Sequence, residues 1–166
     1  MKYLPERFKN QLGFTIPELL VVMGILAILF GLTTPNLLHF QQRAVVNTTS
    51  DILVNDLKSQ QNKAMVGDTE GRGTSDNYGI YFESDKYTLF HGTVYDSMDT
   101  DNFVINLDPS ISFTNITVPN SSIIFSKGSG EVEGYMSGSD TIDITDTTNG
   151  DNVTIRINTY GAIDLP

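Results

Sequence analysis

Residues 13–32 read GFTIPELLVVMGILAILFGL. Every residue from 19 to 32 is apolar or glycine, and the uncharged run continues to residue 42, which makes it 24 residues long. About 20 residues of α-helix cross a hydrocarbon core of ~30 Å. A helix buried in a protein core is the alternative, but fourteen consecutive non-polar positions leave no polar face. The segment therefore favours a membrane-spanning helix.

The residues around this run indicate its orientation. Residues 1–13 carry a net charge of +2, and the positive-inside rule then predicts a cytoplasmic N-terminus with the C-terminal part outside. A secretory signal peptide also begins with basic residues, but a cleavage site of small residues should follow its apolar part. Here Thr33, Thr34 and Pro35 follow. We interpret the segment as an anchor.

Glu18 is an acidic residue at the start of the apolar run. A carboxylate in hydrocarbon is costly, so such an acid indicates a function and a partner. The local alternative is a helix cap. Thr15 and Glu18 have the S/T-x-x-E spacing of a capping box, and Pro17 lies at an early helical position where proline is tolerated. These residues alone leave both roles open.

Residues 13–22, GFTIPELLVV, preceded by a short basic leader, resemble the class III signal of type IV pilins and pseudopilins. The resemblance implies that a prepilin peptidase cuts between Gly13 and Phe14 and methylates the new N-terminal amine of Phe14. It also implies that Glu18 pairs with the free amine of a neighbouring subunit in the filament. Pro17 stands where Leu or Ile is commoner, a difference that the family tolerates.

Beyond the uncharged run, the pattern is that of an amphipathic helix. Apolar residues recur by seven at Leu38, Val45 and Ile52, and by four and seven at Leu53, Leu57 and Ala64. Gly67 then provides a stop signal. The pattern predicts one long helix over residues 14–65. Pro35 predicts a kink within it, and pilin helices commonly carry a proline at the matching place.

Residues 66–166 have a different composition. Of these 101 residues, 44 are Asp, Asn, Ser or Thr, which favour turns over helix interiors. Short β-rich runs lie between them, beginning with a predicted hairpin of strands 78–82 and 87–90 around a four-residue loop. Further strands are predicted at 103–107, 111–118, 122–126, 141–144 and 153–157, with a last short run near 162–165.

The predicted fold class is α+β, with a long N-terminal helix, transmembrane in its first half, packed against a C-terminal antiparallel β-sheet head. The pilin resemblance divides the chain into a cleaved leader (1–13), the helix (14–65) and the head (66–166). A weaker resemblance, to minor pseudopilins of the GspH/FimT type, rests on three stretches of the head. They are residues 78–90, 123–130 and 153–163.

Charge and composition exclude several classes of function. The chain has no cysteine, which excludes disulfides, Cys-ligated zinc and thiol catalysis, and it has two histidines, His39 and His91. Residues 46–166 carry a net charge of −12, which argues against nucleic-acid binding because phosphates require a basic face. We find no set of nucleophile, base and orienting acid, so we predict neither an enzyme nor a cofactor.

Two acidic segments remain. Asp96, Asp99 and Asp101 could offer oxygens to calcium, but their spacing lacks the glycine and the final glutamate of an EF-hand loop. We interpret this segment as a solvated loop, with a calcium site as the alternative. The acids within 140–151 surround Asn149-Gly150, a turn signal, and predict a hairpin.

The pilin resemblance implies a structural subunit, namely a minor pilin or pseudopilin of a type IV pilus or a type II secretion-like filament. It implies the cytoplasmic (inner) membrane and the extracytoplasmic filament as locations. The implied partners are other pilin subunits, prepilin peptidase, an inner-membrane assembly platform and membrane lipid. The alternatives are a filament-surface subunit that binds DNA or another ligand for uptake, and a membrane-anchored enzyme.

Overall fold

The computed structural model describes residues 13–165, except for the side chains of residues 32–44. One α-helix is followed by eight β-strands and one 3₁₀ turn within this range. The elements are α1 (Ile16–Val66), β1 (Tyr78–Phe82), β2 (Lys86–His91), β3 (Phe103–Asn106), β4 (Ile111–Thr114), the 3₁₀ turn (Pro119–Ser121), β5 (Ser122–Phe125), β6 (Thr141–Asp146), β7 (Asn152–Ile157) and β8 (Ile163–Asp164). The predicted α+β class is confirmed.

Helix α1 ends where the sequence predicts, at the glycine stop signal. Gly67 adopts φ +67°, a left-handed conformation that residues with a side chain rarely adopt. The N–H of Gly67 donates to the carbonyl of Ala64 at 3.3 Å, and the N–H of Asp68 donates to the carbonyl of Lys63 at 3.0 Å. These two bonds satisfy carbonyls of the last turn and reverse the chain toward β1.

Several strand boundaries differ from the prediction by one to four residues, and two of these differences have a local reason. Lys86 belongs to β2 rather than to the loop, because its carbonyl accepts a hydrogen bond from the N–H of Glu83 at 3.0 Å and closes a shorter turn. Strand β4 ends at Thr114, four residues earlier than expected. Asn115 follows with φ +50°, which interrupts the extended backbone.

The strands form two antiparallel sheets of four strands each rather than one sheet. The first sheet has the order β3-β2-β1-β5, and the second has the order β4-β6-β7-β8. The hairpin β6–β7 turns at Gly150, with φ +78°, so the predicted Asn-Gly turn is confirmed. Phe113 of β4 packs edge-on against Phe82 and Tyr87 of the first sheet, with ring centroids 5.4 and 6.0 Å apart.

The chain divides into two compact units, one ending at Phe40 and the other beginning at Gln41. The C-terminal half of α1 therefore belongs to the same unit as both sheets. Four of its buried apolar residues recur by seven, four and seven, at Val46, Leu53, Leu57 and Ala64, and together with Val54 they join one core with both sheets. Val45 and Ile52, from the other predicted stripe, are exposed, because each residue turns the helix by about 100°.

Candidate functional site

The predicted cleavage site lies just before helix α1. Gly13 and Phe14 are not helical, and Ile16 is the first helical residue. The carbonyl of Thr15 accepts a hydrogen bond from the N–H of Leu19 at 3.1 Å, which begins the helical pattern. The Phe14 side chain is 76% exposed. The bond between Gly13 and Phe14 is therefore in a non-helical, exposed segment.

Glu18 lies in the first turn of α1 and is exposed. Over residues 13–165, neither its carboxylate nor the hydroxyl of Thr15 makes a hydrogen bond. The two hydrogen bonds of a capping box are thus absent from the described part of the chain.

The apolar residues that follow Glu18 are unburied. Residues 19–31 are all exposed, and most of them are large hydrophobic side chains. Over the part of the chain whose side chains are described, no helix has the length and hydropathy needed to cross a membrane. Pro35 lies inside α1, but its side chain lies outside the described residues, and the predicted kink stays a prediction.

Comparison with known proteins identifies this N-terminal segment. Residues 8–34 match the family model of the prokaryotic N-terminal methylation motif. The chain thus carries the type IV pilin and pseudopilin signature, which marks substrates of prepilin peptidase and implies a membrane-anchored N-terminus and an extracytoplasmic filament. No curated protein and no solved structure is significantly similar to the chain. The closer resemblance to GspH/FimT-type subunits stays a prediction.

A second candidate site is a depression of about 400 Å³ on the C-terminal unit. Its polar lining residues include Gln60, Glu70, Arg72, Tyr78, His91 and Asp101. They come from the end of α1, the connection to β1, and the strands and loops of the first sheet. The depression therefore combines an amide, both signs of charge and an imidazole.

One wall of this depression is an ion-pair network. The Glu70 carboxylate accepts hydrogen bonds from Lys63 Nζ at 2.6 Å and from Arg72 Nη1 at 2.9 Å. Desolvation alone would raise the pKa of Glu70, but these two bonds and the two positive charges together lower it. Arg72 also donates to the Tyr78 hydroxyl at 2.8 Å, and that hydroxyl donates to the carbonyl of Asp68 at 2.8 Å.

His91 and Asp101 also line the depression, and Asp99 and Asp101, two of the three acids that the sequence offered as metal ligands, approach this histidine. His91 Nε2 lies 3.1 Å from Oδ2 of Asp99 and 3.8 Å from Oδ2 of Asp101. Asp96 is not part of this group. Its Oδ1 accepts a hydrogen bond from the N–H of Met98 at 2.9 Å, and its carbonyl accepts one from Asn102 Nδ2 at 2.7 Å. Asp96 therefore shapes the loop.

Sequence reasoning missed His91 as a member of this group. Strand β2 ends at His91. The available signal was the short separation, since an Asp-rich loop begins five residues after a histidine that terminates a strand. In the described part of the chain, His91, Asp99 and Asp101 form a group whose potential metal-ligand atoms lie within 4.8 Å of one another.

The other acidic segment, 140–151, forms the hairpin that the sequence predicts. Asp146 is buried, and its Oδ1 accepts a hydrogen bond from the N–H of Thr148 at 2.7 Å. Asp143 Oδ1 accepts one from the Thr154 hydroxyl at 2.6 Å, across the strand pair. These carboxylates stabilise the turn and the pairing of β6 with β7.

Proposed function

We propose that the chain is a minor pilin or pseudopilin subunit of a type IV pilus or a type II secretion-like filament. It is cleaved between Gly13 and Phe14, methylated at Phe14 and anchored by a single membrane-spanning helix over its apolar segment. The observation that carries this proposal is the methylation motif at residues 8–34, followed directly by helical apolar residues that are exposed along 19–31.

Glu18 is the residue to which we assign assembly. Cleavage creates a positively charged α-amine at Phe14. In the filament, this amine of one subunit would pair with the negatively charged Glu18 carboxylate of a neighbouring subunit. At ~4 Å and an effective dielectric of about 20, such a pair gains roughly 4 kcal/mol before desolvation. The absence of a hydrogen bond to Glu18 among residues 13–165 supports an intermolecular role.

The proposed partners are those that process, hold and assemble such a subunit. Prepilin peptidase acts first, membrane lipid holds the apolar helix, and an inner-membrane assembly platform moves the subunit into the filament beside other pilin subunits. Catalysis is not part of the proposal, and the role of the head is structural.

The distribution of basic residues gives no support to the alternative of DNA uptake. Lys63 and Arg72 share Glu70, Lys86 Nζ lies 3.3 Å from Glu83, and Lys127 Nζ donates to the carbonyl of Ser75 at 3.0 Å. In the described C-terminal unit, these cations therefore do not form the basic face that phosphate binding requires.

Mass spectrometry of the protein from its native host tests the proposal. The mature chain should begin at Phe14 and carry one added methyl group. Gly13→Val is the matched control. A Cβ at this position meets no atom within 4 Å, so the variant should fold and anchor but keep its leader. An intact leader on the wild-type chain, or cleavage after the apolar run, would overturn the proposal.

A further inference from the structure

We propose that His91, Asp99 and Asp101 form a binding site for a single zinc ion at the edge of the depression. This inference concerns the C-terminal unit and does not depend on the proposed filament role. One potential ligand atom from each of the three residues lies within 4.8 Å of the other two. The three residues bring together an imidazole and two carboxylates, both of which are ordinary zinc ligands.

The distances match what one zinc ion requires. Zinc binds His nitrogen and Asp oxygen at about 2.0–2.2 Å in a tetrahedral arrangement, so neighbouring ligand atoms lie roughly 3.3–3.6 Å apart by that geometry. The separations from His91 Nε2 are 3.1 Å to Asp99 and 3.8 Å to Asp101. The ligand atoms of Asp99 and Asp101 lie within 4.8 Å of one another.

The other ring nitrogen of His91 faces a carboxylate but does not reach hydrogen-bond distance from it. A metal-bound histidine usually directs its second N–H at a carboxylate or carbonyl, which sets the tautomer and the ring orientation. His91 Nδ1 lies 3.7 Å from Oδ2 of Asp76. Nδ1 is buried and has no hydrogen-bond partner among residues 13–165. With the proton on Nδ1, facing Asp76, the lone pair of Nε2 is directed to the metal.

Asp99 is held so that one of its oxygens is free for the ion. Its Oδ1 accepts a hydrogen bond from the N–H of Asp101 at 2.9 Å, while Oδ2 is the oxygen that approaches His91. The N–H of Asn102 also donates to the carbonyl of Asp99 at 3.4 Å. The loop therefore presents Asp99 and Asp101 from one local turn.

A second observation at the same depression is a buried amide oxygen without a hydrogen-bond partner. Gln60 lines the same depression as His91 and Asp101. It is only 2% exposed, and its Oε1 accepts no hydrogen bond from the described residues. A buried acceptor without a donor is unfavourable. A zinc ion with three protein ligands keeps a water molecule in its fourth position, and such a water is the kind of donor that Gln60 lacks.

The charges around the group favour a cation. Asp76, Asp99 and Asp101 all approach His91. Arg72 Nη1 lies 3.9 Å from Oδ2 of Asp101, but it lies closer, at 2.9 Å, to Oε2 of Glu70. The negative charge of Glu70 therefore offsets the positive charge of Arg72 near the group. The imidazole selects zinc over calcium, because calcium prefers six to eight oxygen ligands.

Isothermal titration calorimetry tests the proposal on the full-length, tag-free chain in detergent, after removal of metals by a chelator. Zinc chloride should bind with one ion per chain. His91→Gln and Asp99→Asn should each weaken zinc binding by at least about tenfold, since even the loss of a residue that only orients a zinc ligand costs that much. His39→Gln and Asp96→Asn are the matched controls, because they remove the other histidine and the loop acid outside the group, and they should leave the affinity unchanged.

A second measurement on the wild-type chain covers the case in which a variant fails to fold. The measurement is NMR of the chain labelled with ¹⁵N-histidine, which reports on the two imidazoles, His39 and His91. The signals that remain in His39→Gln belong to His91, and zinc should shift these signals. Equal zinc binding by His91→Gln, loss of binding in His39→Gln, or a shift of the His39 signal alone would overturn the proposal. Tighter binding of calcium than of zinc, lost in Asp96→Asn, would also overturn it and indicate an all-oxygen loop site.

Discussion

The hydroxyl of Tyr87 donates a hydrogen bond to Oδ2 of Asp56 over 2.5 Å and thereby joins strand β2 to helix α1. The Tyr87 side chain is buried. Burial is the largest cause that raises the pKa of Tyr87 above its usual value, and the hydrogen bond to Asp56 and the charge of Asp56 add to it. The fold thus favours the neutral phenol of Tyr87, and the hydrogen bond of this phenol connects the C-terminal half of α1 to the first sheet.

Tyr87→Phe should lower the free energy of unfolding by about 1–2 kcal/mol, because it removes the donor and leaves a partly buried carboxylate without its partner. Urea unfolding of the full chain in detergent, followed by circular dichroism, measures this change. Tyr160→Phe is the matched control, since Tyr160 is 69% exposed and its substitution should have almost no effect. Equal effects of the two substitutions would mean that the bond to Asp56 contributes nothing.

The same hydrogen bond predicts a loss of stability at high pH. A phenol whose pKa is higher in the folded than in the unfolded chain stabilises the fold fully below the unfolded pKa of about 10, and this contribution decreases as the pH rises above that value. The free energy of unfolding should therefore fall above about pH 10. In Tyr87→Phe the free energy of unfolding should fall less over the same pH range. Part of the fall should remain, because burial also raises the pKa of Tyr78. An identical pH profile for both chains would contradict the assignment to Tyr87.

Gln61 connects α1 to two loops that are distant in sequence. Its Nε2 donates to the carbonyl of Gly130 and to the carbonyl of Tyr160, each at 2.9 Å. Gly161 has φ +75°, and a Cβ there would collide with the Gln61 amide. Gly161→Ala should therefore lower the free energy of unfolding by about 3–4 kcal/mol, from backbone strain of roughly 1–2 kcal/mol and two lost hydrogen bonds of about 1 kcal/mol each.

Gly150→Ala is the matched control for this prediction. Gly150 has a similar φ of +78°, but a Cβ there meets no atom within 4 Å. The control should show the backbone strain alone, so thermal or urea unfolding should rank Gly161→Ala as the more destabilising of the two. If the two variants were equally stable, the Gln61 contacts would not contribute to folding.

Glu18→Ala should leave membrane insertion and leader cleavage intact, because it makes the segment more apolar. If the carboxylate pairs with a neighbour's amine, the cleaved variant should accumulate in the membrane and be depleted from sheared filaments. The measurement is the partition of wild-type and variant protein between membrane and filament fractions.

Thr15→Ala separates this role from helix capping. It removes the other half of the capping box but keeps the acid. A capping role would cost about 1 kcal/mol of local stability in either variant, which the long helix should tolerate without loss of incorporation. Equal partition of Glu18→Ala and wild-type protein, with cleavage verified by mass spectrometry in all three chains, would exclude the pairing role.

Much of the fold is readable from short stretches of sequence, because the physical causes act within a few residues. Gly67 ends α1 since glycine adopts the left-handed conformation at low cost. The Asn149-Gly150 pair gives the β6–β7 turn for a related reason. The methylation motif at residues 8–34 is also contiguous, so the best-supported part of the functional assignment required no tertiary information.

What only the tertiary structure decided involves residues that are far apart along the chain. The contacts of Gln61 span 69 and 99 residues, and the division of the strands into two sheets places β5 beside β1 and β4 beside β6. The group of His91, Asp99 and Asp101 lies close together in sequence, but it also required the turn that folds the loop back onto the end of β2. No local periodicity encodes such pairings, because they depend on which apolar faces pack against α1 to form the core.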